Sequence, residues 1–513
     1  MIKQNNFTFI DLFSGIGGFR LALNNLGGDC LNFSEINKDA IDAYCTNFEE
    51  ETTYNLGDIT KIKALPKHDL MTAGVPCQSW SIAGRNLGFD DDRGQLWNDT
   101  IYLLNQAKPK AFIFENVKGL VDPRNQDALS YILERVRAAG YHAHYYVLNS
   151  FDYGVPQNRV RIYIVGFLEK QFHDAFQIAA PVKDKIRLNT ILSDVKIVDS
   201  QYFTSDNQKD LFGQTVMPRN MGLSNNKGFN DYFLFNDLRN GHSTIHSWDI
   251  LETTEFQKTI CYLLLKNRRK SAYGNLDGNP LSLLHFKALD NSITLSDLEE
   301  LVKMGILKEE EYTFSIIGED LENLDAAENA VLECAVGTDL NIDVVKNNRQ
   351  LKLDKRPIFK IIDGLKRKNI IVCIEKRYDF KNTKISTGLY GVNRIFLPSS
   401  NIFPTLVASD SNDFVALEDI NADNAALYKI DFLENIYRKG KYRKITKEEA
   451  CQMQGFPQDF MLPSSRARWI KLLGNSVSVP VVQMLGKAIV ETGVFDENVS
   501  FMGNNQAKAY EMA

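Results

Sequence analysis

The sequence predicts a doubly wound α/β domain joined to a second, irregular α+β domain. Three observations carry that prediction. Short apolar runs rich in β-branched and aromatic residues recur through the first 170 residues, helical periods separate several of them, and from about residue 186 to 440 this alternation is lost. Strands buried on both faces of a parallel sheet read as near-continuous apolar runs, and amphipathic stretches between them mark crossover helices.

In chain order the strand-like runs are FTFIDLF (7–13), DCLNFSEI (29–36), HDLMTAGV (68–75), KAFIFENV (110–117), YYVLNS (145–150) and VRIYIVGF (160–167). GFRLALNNL (18–26) and DALSYILERVRAAG (127–140) hold apolar residues at helical spacing. In the second region, TLSDLEELVKMGIL (294–307) reads as a helix capped by Ser296, with Glu299 at the capping-box position. It leads into EYTFSII, an order that resembles a winged-helix element within about 280–375. VPVVQMLGKAIVETG (479–493) returns to the apolar helical period.

Composition bounds the function. At 513 residues, 44% hydrophobic and 24% charged, the chain can bury several cores and is not of the disordered class. No run approaches the ~18 consecutive apolar residues of a membrane span, and the start has no signal-peptide layout, so a soluble cytoplasmic protein with no membrane partner is expected. Seven scattered cysteines without a CxxC suggest neither a disulfide framework nor a zinc site, and no metal is expected. The net charge of −6 alone argues against a polyanion, but charge is partitioned. Residues 297–343 hold fourteen acids against two bases, and 346–384 hold thirteen bases against four acids; 258–270 and 438–447 are basic without any acid.

Four constellations carry chemistry. Phe13–Phe19 (FSGIGGF) sits where the first strand meets the first helix, with glycines at 15, 17 and 18 rather than in the GxGxxG spacing that admits a pyrophosphate. A ligand with an adenosine and no pyrophosphate fits better, and S-adenosylmethionine is the candidate. Glu35 ends the second run, where an acid bonds ribose hydroxyls, and Asp58-Ile59 follows where a loop can reach the adenine. In VPCQSWS, Cys77 lies in a turn at a strand end, where a thiol can be exposed and activated as a nucleophile; the other six cysteines read as buried thiols. Glu115 ends AFIFENV, where an apolar setting raises a carboxyl's pKa, and Arg159 and Arg161 open the next strand with guanidinium donors.

The order FSGIGGF, PCQS, ENV and QNRVRIYIVG, followed by Thr405-Leu406, RKITKEEACQMQGFP (443–457) and GNSVSVP (474–480), closely resembles the C5-cytosine DNA methyltransferases, over roughly the first 170 and last 110 residues. The resemblance implies an S-adenosylmethionine-dependent methyltransferase fold and methyl transfer to C5 of a flipped-out cytosine in duplex DNA. It casts Cys77 as the nucleophile that adds to C6, Glu115 as the partner of N3 and N4, and Arg161, with Arg159, as the holder of O2. By the same carry-over Phe13, Ile16, Gly17, Gly18, Glu35, Asp58, Ile59, Pro76, Leu96, Asn475 and Ser476 line the cofactor site. Residues 81–97 are the expected mobile loop.

The resemblance divides the chain into a catalytic and cofactor domain (1–185), an enlarged target-recognition domain (186–465), a helix returning to the first domain (466–496) and a tail (497–513). Gln78, Ser81, Arg93, Lys266, Arg268, Arg269, Lys366, Arg367, Lys368 and Thr405 are the expected DNA contacts. A monomer that modifies DNA, either as the partner of a restriction endonuclease or as an orphan relative of such enzymes, is the leading expectation. An RNA cytosine-5 methyltransferase and a catalytically silent DNA-binding regulator are the alternatives, and intact Cys77, Glu115 and Arg161 argue against silence.

Overall fold

The computed structural model describes residues 7–76, 92–183, 185–196, 231–238, 243–318, 324–348, 351, 357–383 and 388–496. The chain forms two compact units, Met1–Tyr232 with Ile395–Ala513, and Phe233–Arg394.

The first unit is built on a six-stranded sheet. Its strands are β1 (Phe7–Leu12), β2 (Gly28–Ser34), β3 (Leu70–Gly74), β4 (Ala111–Val117), β5 (His142–Asn149) and, after the two-residue β6 (Gln157–Asn158), β7 (Val160–Phe167). The spatial order is β2-β1-β3-β4-β7-β5. β2, β1, β3 and β4 pair in parallel, whereas β7 runs antiparallel to both β4 and β5. The apolar run at 160–167 therefore does not belong to a parallel pair. Only residues 150–159 link β5 to β7, fewer than the dozen or so that a parallel crossover needs.

Alternating side chains of the strands feed two cores. Along β4, Ala111 and Ile113 join one cluster and Phe112 and Phe114 the other. The first cluster is closed by helices α1 (Gly18–Asn24) and α2 (Lys38–Phe48) and by the C-terminal helix Val479–Glu491; the second by α3 (Asp92–Ala107) and α4 (Gln126–Ala138). Helices thus cover both sheet faces. The one described stretch apolar and long enough to cross a membrane, Arg466–Glu491, has 67% of its apolar window buried inside the protein and is interrupted by extended backbone at Ser476 and Ser478.

The first unit reaches further along the chain than composition suggests. Leu188, Leu192, Phe396, Phe403, Leu406, Val415, Ile445 and Ala450 are all buried in its core. The loss of strand–helix alternation at 186 marks a change of local pattern, not the end of the core.

In the second unit, helices Glu255–Asn267, Leu283–Leu289 and Leu295–Lys303 enclose a core with Leu281, Leu307, Tyr378 and Phe380. A four-stranded antiparallel sheet runs in the order Leu281–Ser282, Ile371–Phe380, Leu307–Ile316, Asp339–Asn341. Between its two long strands, helices Ala326–Leu332 and Ile358–Arg367 build a separate core. The helix expected to be capped by Ser296 is capped instead by Thr294, whose box partner is Asp297. The threonine satisfies the same S/T-x-x-acid pattern two residues earlier, and Asp297 accepts a bond from the Thr294 N–H.

Candidate active site

The carboxyl ends of β1 to β4 lie along one sheet edge, where a doubly wound fold places its ligands. β1 leaves the sheet through Phe13, whose φ of 53° is left-handed, into a loop where Gly15 and Gly17 have φ of 55° and 86°. Ser14 N donates to Ser34 O at 3.0 Å and Gly17 N to Ser14 O at 2.9 Å, which folds the loop over the end of β2. A Cβ on Gly17 would stand 2.3 Å from Phe48 Cε2, and one on Gly18 2.7 Å from Val477 Cγ2 and 2.9 Å from Ser476 Oγ. Close approach requires glycine at both positions. A Cβ on Gly15 would meet nothing within 4 Å, so that side of the loop is open.

Glu35 pins this loop. Its Oε2 accepts from Gly15 N at 2.9 Å, and its Oε1 from Ile36 N and Asn37 N at 2.8 and 2.7 Å. Each carboxylate oxygen has two lone pairs, so capacity remains for a further donor. Asp58 caps the short turn Ile59–Lys61 by accepting from Thr60 N and Oγ1, and those bonds hold its carboxyl below the ordinary range. Ile16 and Ile59 are buried, whereas Phe13, Pro76 and Leu96 are half-buried. Asn475 is exposed at the end of the helix Arg466–Asn475, and Ser476 is buried against Gly18. Residues from the two ends of the chain thus meet at one loop.

On the neighbouring strands, Arg161 Nε lies 3.1 Å from Glu115 Oε1, with both side chains largely buried. Glu115 pairs in register with Gly74 of β3 on one side and Tyr163 of β7 on the other. Burial raises the Glu115 carboxyl above its ordinary value, although Arg161 and Arg159 pull it down. Thr405 donates its hydroxyl to Asn158 O, beside the parallel pairing of Phe403 with Gln157.

Arg159 differs from the expectation of a substrate-facing donor. It is 2% exposed, and its two terminal nitrogens donate to the carbonyls of Leu406, Gly474 and Ser476. It is a positioning residue that ties three chain segments together. Gly474 permits the tie, because a Cβ there would stand 2.3 Å from the Val407 carbonyl carbon. Cys77, Gln78 and Ser81, and the side chain of Arg93, lie outside the described residues.

The expected DNA contacts in the second unit are mixed. Arg268 is 5% exposed and paired bidentately with Asp379, so it is not part of an open basic patch. Lys366 Nζ lies 2.7 Å from both Glu311 oxygens, and Lys368 Nζ 2.6 Å from Glu328 Oε2. Lys266, Arg269 and Arg367 are exposed. The acidic and basic segments answer each other because Glu309–Glu311 and Lys376–Tyr378 are opposite one another in an antiparallel ladder.

Residues 7–491 match the family described as C-5 cytosine-specific DNA methylase. The chain belongs to that family. It is 39% identical to the Type II methylase M.HgiEI of Herpetosiphon aurantiacus, over 97% of this chain and 99% of that one. To the Type II methyltransferase M.NlaIV of Neisseria lactamica it is 29% identical, over 94% of this chain and 99% of that one. Among solved structures, the Entamoeba histolytica methyltransferase EhMeth aligns with a TM-score of 0.46 at 14% identity, covering 95% of this chain and 98% of that one.

Two residues of this DNA cytosine-5 methyltransferase are missed by reading motifs alone. Asn116, 1% exposed, donates its Nδ2 to Val75 O at 3.3 Å, so the strand end carrying Glu115 is fastened to the segment entering Cys77. Asp11, wholly buried in β1, accepts from Thr72 Oγ1 at 2.9 Å, and its Oδ2 has no partner among the described residues. Burial pushes its carboxyl up to about 7. An acid within an apolar strand run was the available signal for Asp11; Asn116 gave none, since its partner is a backbone carbonyl 41 residues away.

Proposed function

We propose that this enzyme transfers the methyl group of S-adenosylmethionine to C5 of a cytosine flipped out of a specific duplex sequence, through a covalent adduct between Cys77 and C6. The observation that carries the reading is the buried Glu115–Arg161 pair, set at the strand ends one register step from β3 and the chain entering Cys77. C5 of cytosine is too weak a nucleophile to take a methyl directly. Addition of the Cys77 thiolate to C6 makes the ring an enamine; Glu115, whose carboxyl burial raises, is the donor to N3, and Arg161 holds O2. C5 of the enamine takes the methyl as its bond to the cofactor's sulfur breaks; loss of the C5 proton to a base, expulsion of the Cys77 thiolate and return of the N3 proton to Glu115 then restore the aromatic ring. Extruding the base costs a few kcal/mol of stacking.

The cofactor edge fits an adenosyl ligand without pyrophosphate: the open side of Gly15, the acceptor capacity of Glu35 and the Gly18–Ser476 approach are its parts. S-adenosylmethionine supplies an electrophilic methyl on sulfur when bound. Phe13, Ile16, Gly17, Glu35, Asp58, Ile59, Pro76, Leu96 and Asn475 are the proposed lining. The Type II names of the relatives favour a modification enzyme that works on duplex DNA in the cytoplasm beside a restriction endonuclease. Residues of the second unit, with Gln78, Ser81, Arg93 and Thr405, are the proposed DNA contacts.

Bisulfite sequencing of DNA from cells expressing the wild type should reveal one protected sequence motif, and cells expressing Cys77→Ser should show none. Protection retained in the variant would overturn the covalent mechanism.

A further inference from the structure

The second unit contains a polar cleft of about 430 Å³, lined by its own residues alone. Arg268 and Asp379 are part of that lining. Arg268 is the C-cap of the helix Glu255–Asn267, and Asp379 lies near the end of the strand Ile371–Phe380. Arg268 Nε reaches Asp379 Oδ1 at 3.0 Å and Nη2 reaches Oδ2 at 2.8 Å, with the two side chains 6% and 8% exposed. Gly278, at φ 136°, crosses the guanidinium so closely that a Cβ would stand 2.5 Å from Nη2 and 2.8 Å from Nη1. The Phe380 ring lies 5.9 Å away.

This guanidinium is held along one edge by Asp379, and its other edge borders the cleft. Asp379 occupies the side-on edge. Nη1 has no hydrogen-bond partner among the described residues and is not wholly enclosed, so its donors are left for a group entering the cleft. The remaining donors, on Nη1 and the second hydrogen of Nη2, form the end-on fork of an arginine.

The signs of the walls indicate what that fork meets. Arg269, Lys308 and Lys346 are matched by Asp237, Asp277 and Glu310; Lys308 pairs with Glu310, and Arg269 lies 3.7 Å from Asp277. A phosphate is held by clustered, unopposed cations; of the cations lining this cleft only Lys346 has no acid paired with it among the described residues. A base edge presents donors and acceptors together, and guanine alone offers two acceptors, O6 and N7, to an end-on fork in the major groove.

We propose that Arg268, oriented by Asp379, is a specificity-determining residue that reads one guanine of the target duplex. The proposal rests on the reading of this chain as a DNA methyltransferase and adds the base and the atom that it recognises. It also narrows the DNA contact first expected of Arg268 to a base edge.

The target is best found by binding selection from random duplexes, which needs no methyl transfer; a bound motif whose cytosine stays unmethylated would then count against the proposed catalysis and not against Arg268. Each guanine of the selected motif is replaced in turn by 7-deazaguanine, which lacks the N7 acceptor, and affinity is measured for the wild type and Arg268→Lys. At one position the wild type should lose about tenfold in affinity while Arg268→Lys loses nothing. Equal losses in both proteins at every position would overturn the proposal. Should Arg268→Lys fail to fold, Thr383→Trp decides, since Thr383 is an exposed residue of the cleft lining. With an unchanged Tm it should erase the sensitivity to 7-deazaguanine at that position, and retained sensitivity would overturn the reading.

Discussion

The guanidinium of Arg159 is bonded to the carbonyl of Ser476, 317 residues further along the chain, inside the first unit. Because Ser476 in turn packs against Gly18, the bond couples the start of β7 to the loop between Phe13 and Gly18. Arg159→Ala would leave the carbonyls of Leu406, Gly474 and Ser476 buried without this donor. The expected cost is on the order of 3 kcal/mol, read as a lowered midpoint in urea, together with weaker binding of S-adenosylmethionine by calorimetry. Lost methyl transfer with stability and cofactor affinity intact would mean that Arg159 contacts the substrate after all.

Glu115 should impose an alkaline limb on the rate. Burial raises its carboxyl against the pull of Arg161 and Arg159, so the protonated donor persists to higher pH than in an ordinary glutamate and is lost as pH rises through the raised value. In Glu115→Gln the amide hydrogen-bonds but supplies no proton, so kcat should fall by roughly 10²–10⁴ and that limb should vanish. A single-turnover pH profile of the two proteins checks this; a limb that survives the substitution would assign it to another group.

Motif chemistry was legible because it is local. The left-handed turn at Gly17 belongs to the very loop it forms, and Glu35 and Glu115 sit at strand ends that hydrophobic runs delimit. Relations between distant segments were not. The antiparallel course of β7 follows from a short link whose length is visible, but the apolar run itself is the same for either direction. Arg159 reads as a surface donor until Gly474 and Ser476 are brought to it. Likewise the separate acidic and basic blocks of the second unit cancel only once the antiparallel ladder sets Glu311 opposite Lys376.

Asp11 should make stability depend on pH in the alkaline direction. Its carboxyl is raised by burial from an ordinary 3.8 to about 7, so the fold favours the protonated form. Its contribution is fully present below the unfolded value and declines as pH rises from there, at about 1.4 kcal/mol per pH unit, until it is gone above the folded value. Thermal unfolding of the wild type and Asp11→Asn between pH 3 and 9 tests it. The wild type should lose stability relative to the variant between about pH 4 and 7 and run parallel to it above that, and curves parallel throughout would show that Asp11 titrates as an ordinary carboxyl.

The paired lysines make a sharper statement about DNA affinity than sequence charge does. Neutralising Lys366, Arg367 and Lys368 together would flatten the log–log dependence of binding on salt by about 0.9 for each phosphate that they neutralise. Three open cations would therefore lower the slope by about 2.7. Lys366 and Lys368 are held by Glu311 and Glu328, while exposed Arg367 donates its Nε to the Asp363 carbonyl on its own helix. The ion-paired lysines release few counterions, so the triple variant should lower the slope by about 0.9, and Arg367→Gln alone should reproduce nearly all of that change. Affinity measured from low to high salt on a selected and an unrelated duplex distinguishes the cases. A slope that falls about threefold further in the triple variant than in Arg367→Gln would mean that DNA displaces the two glutamates from their lysines.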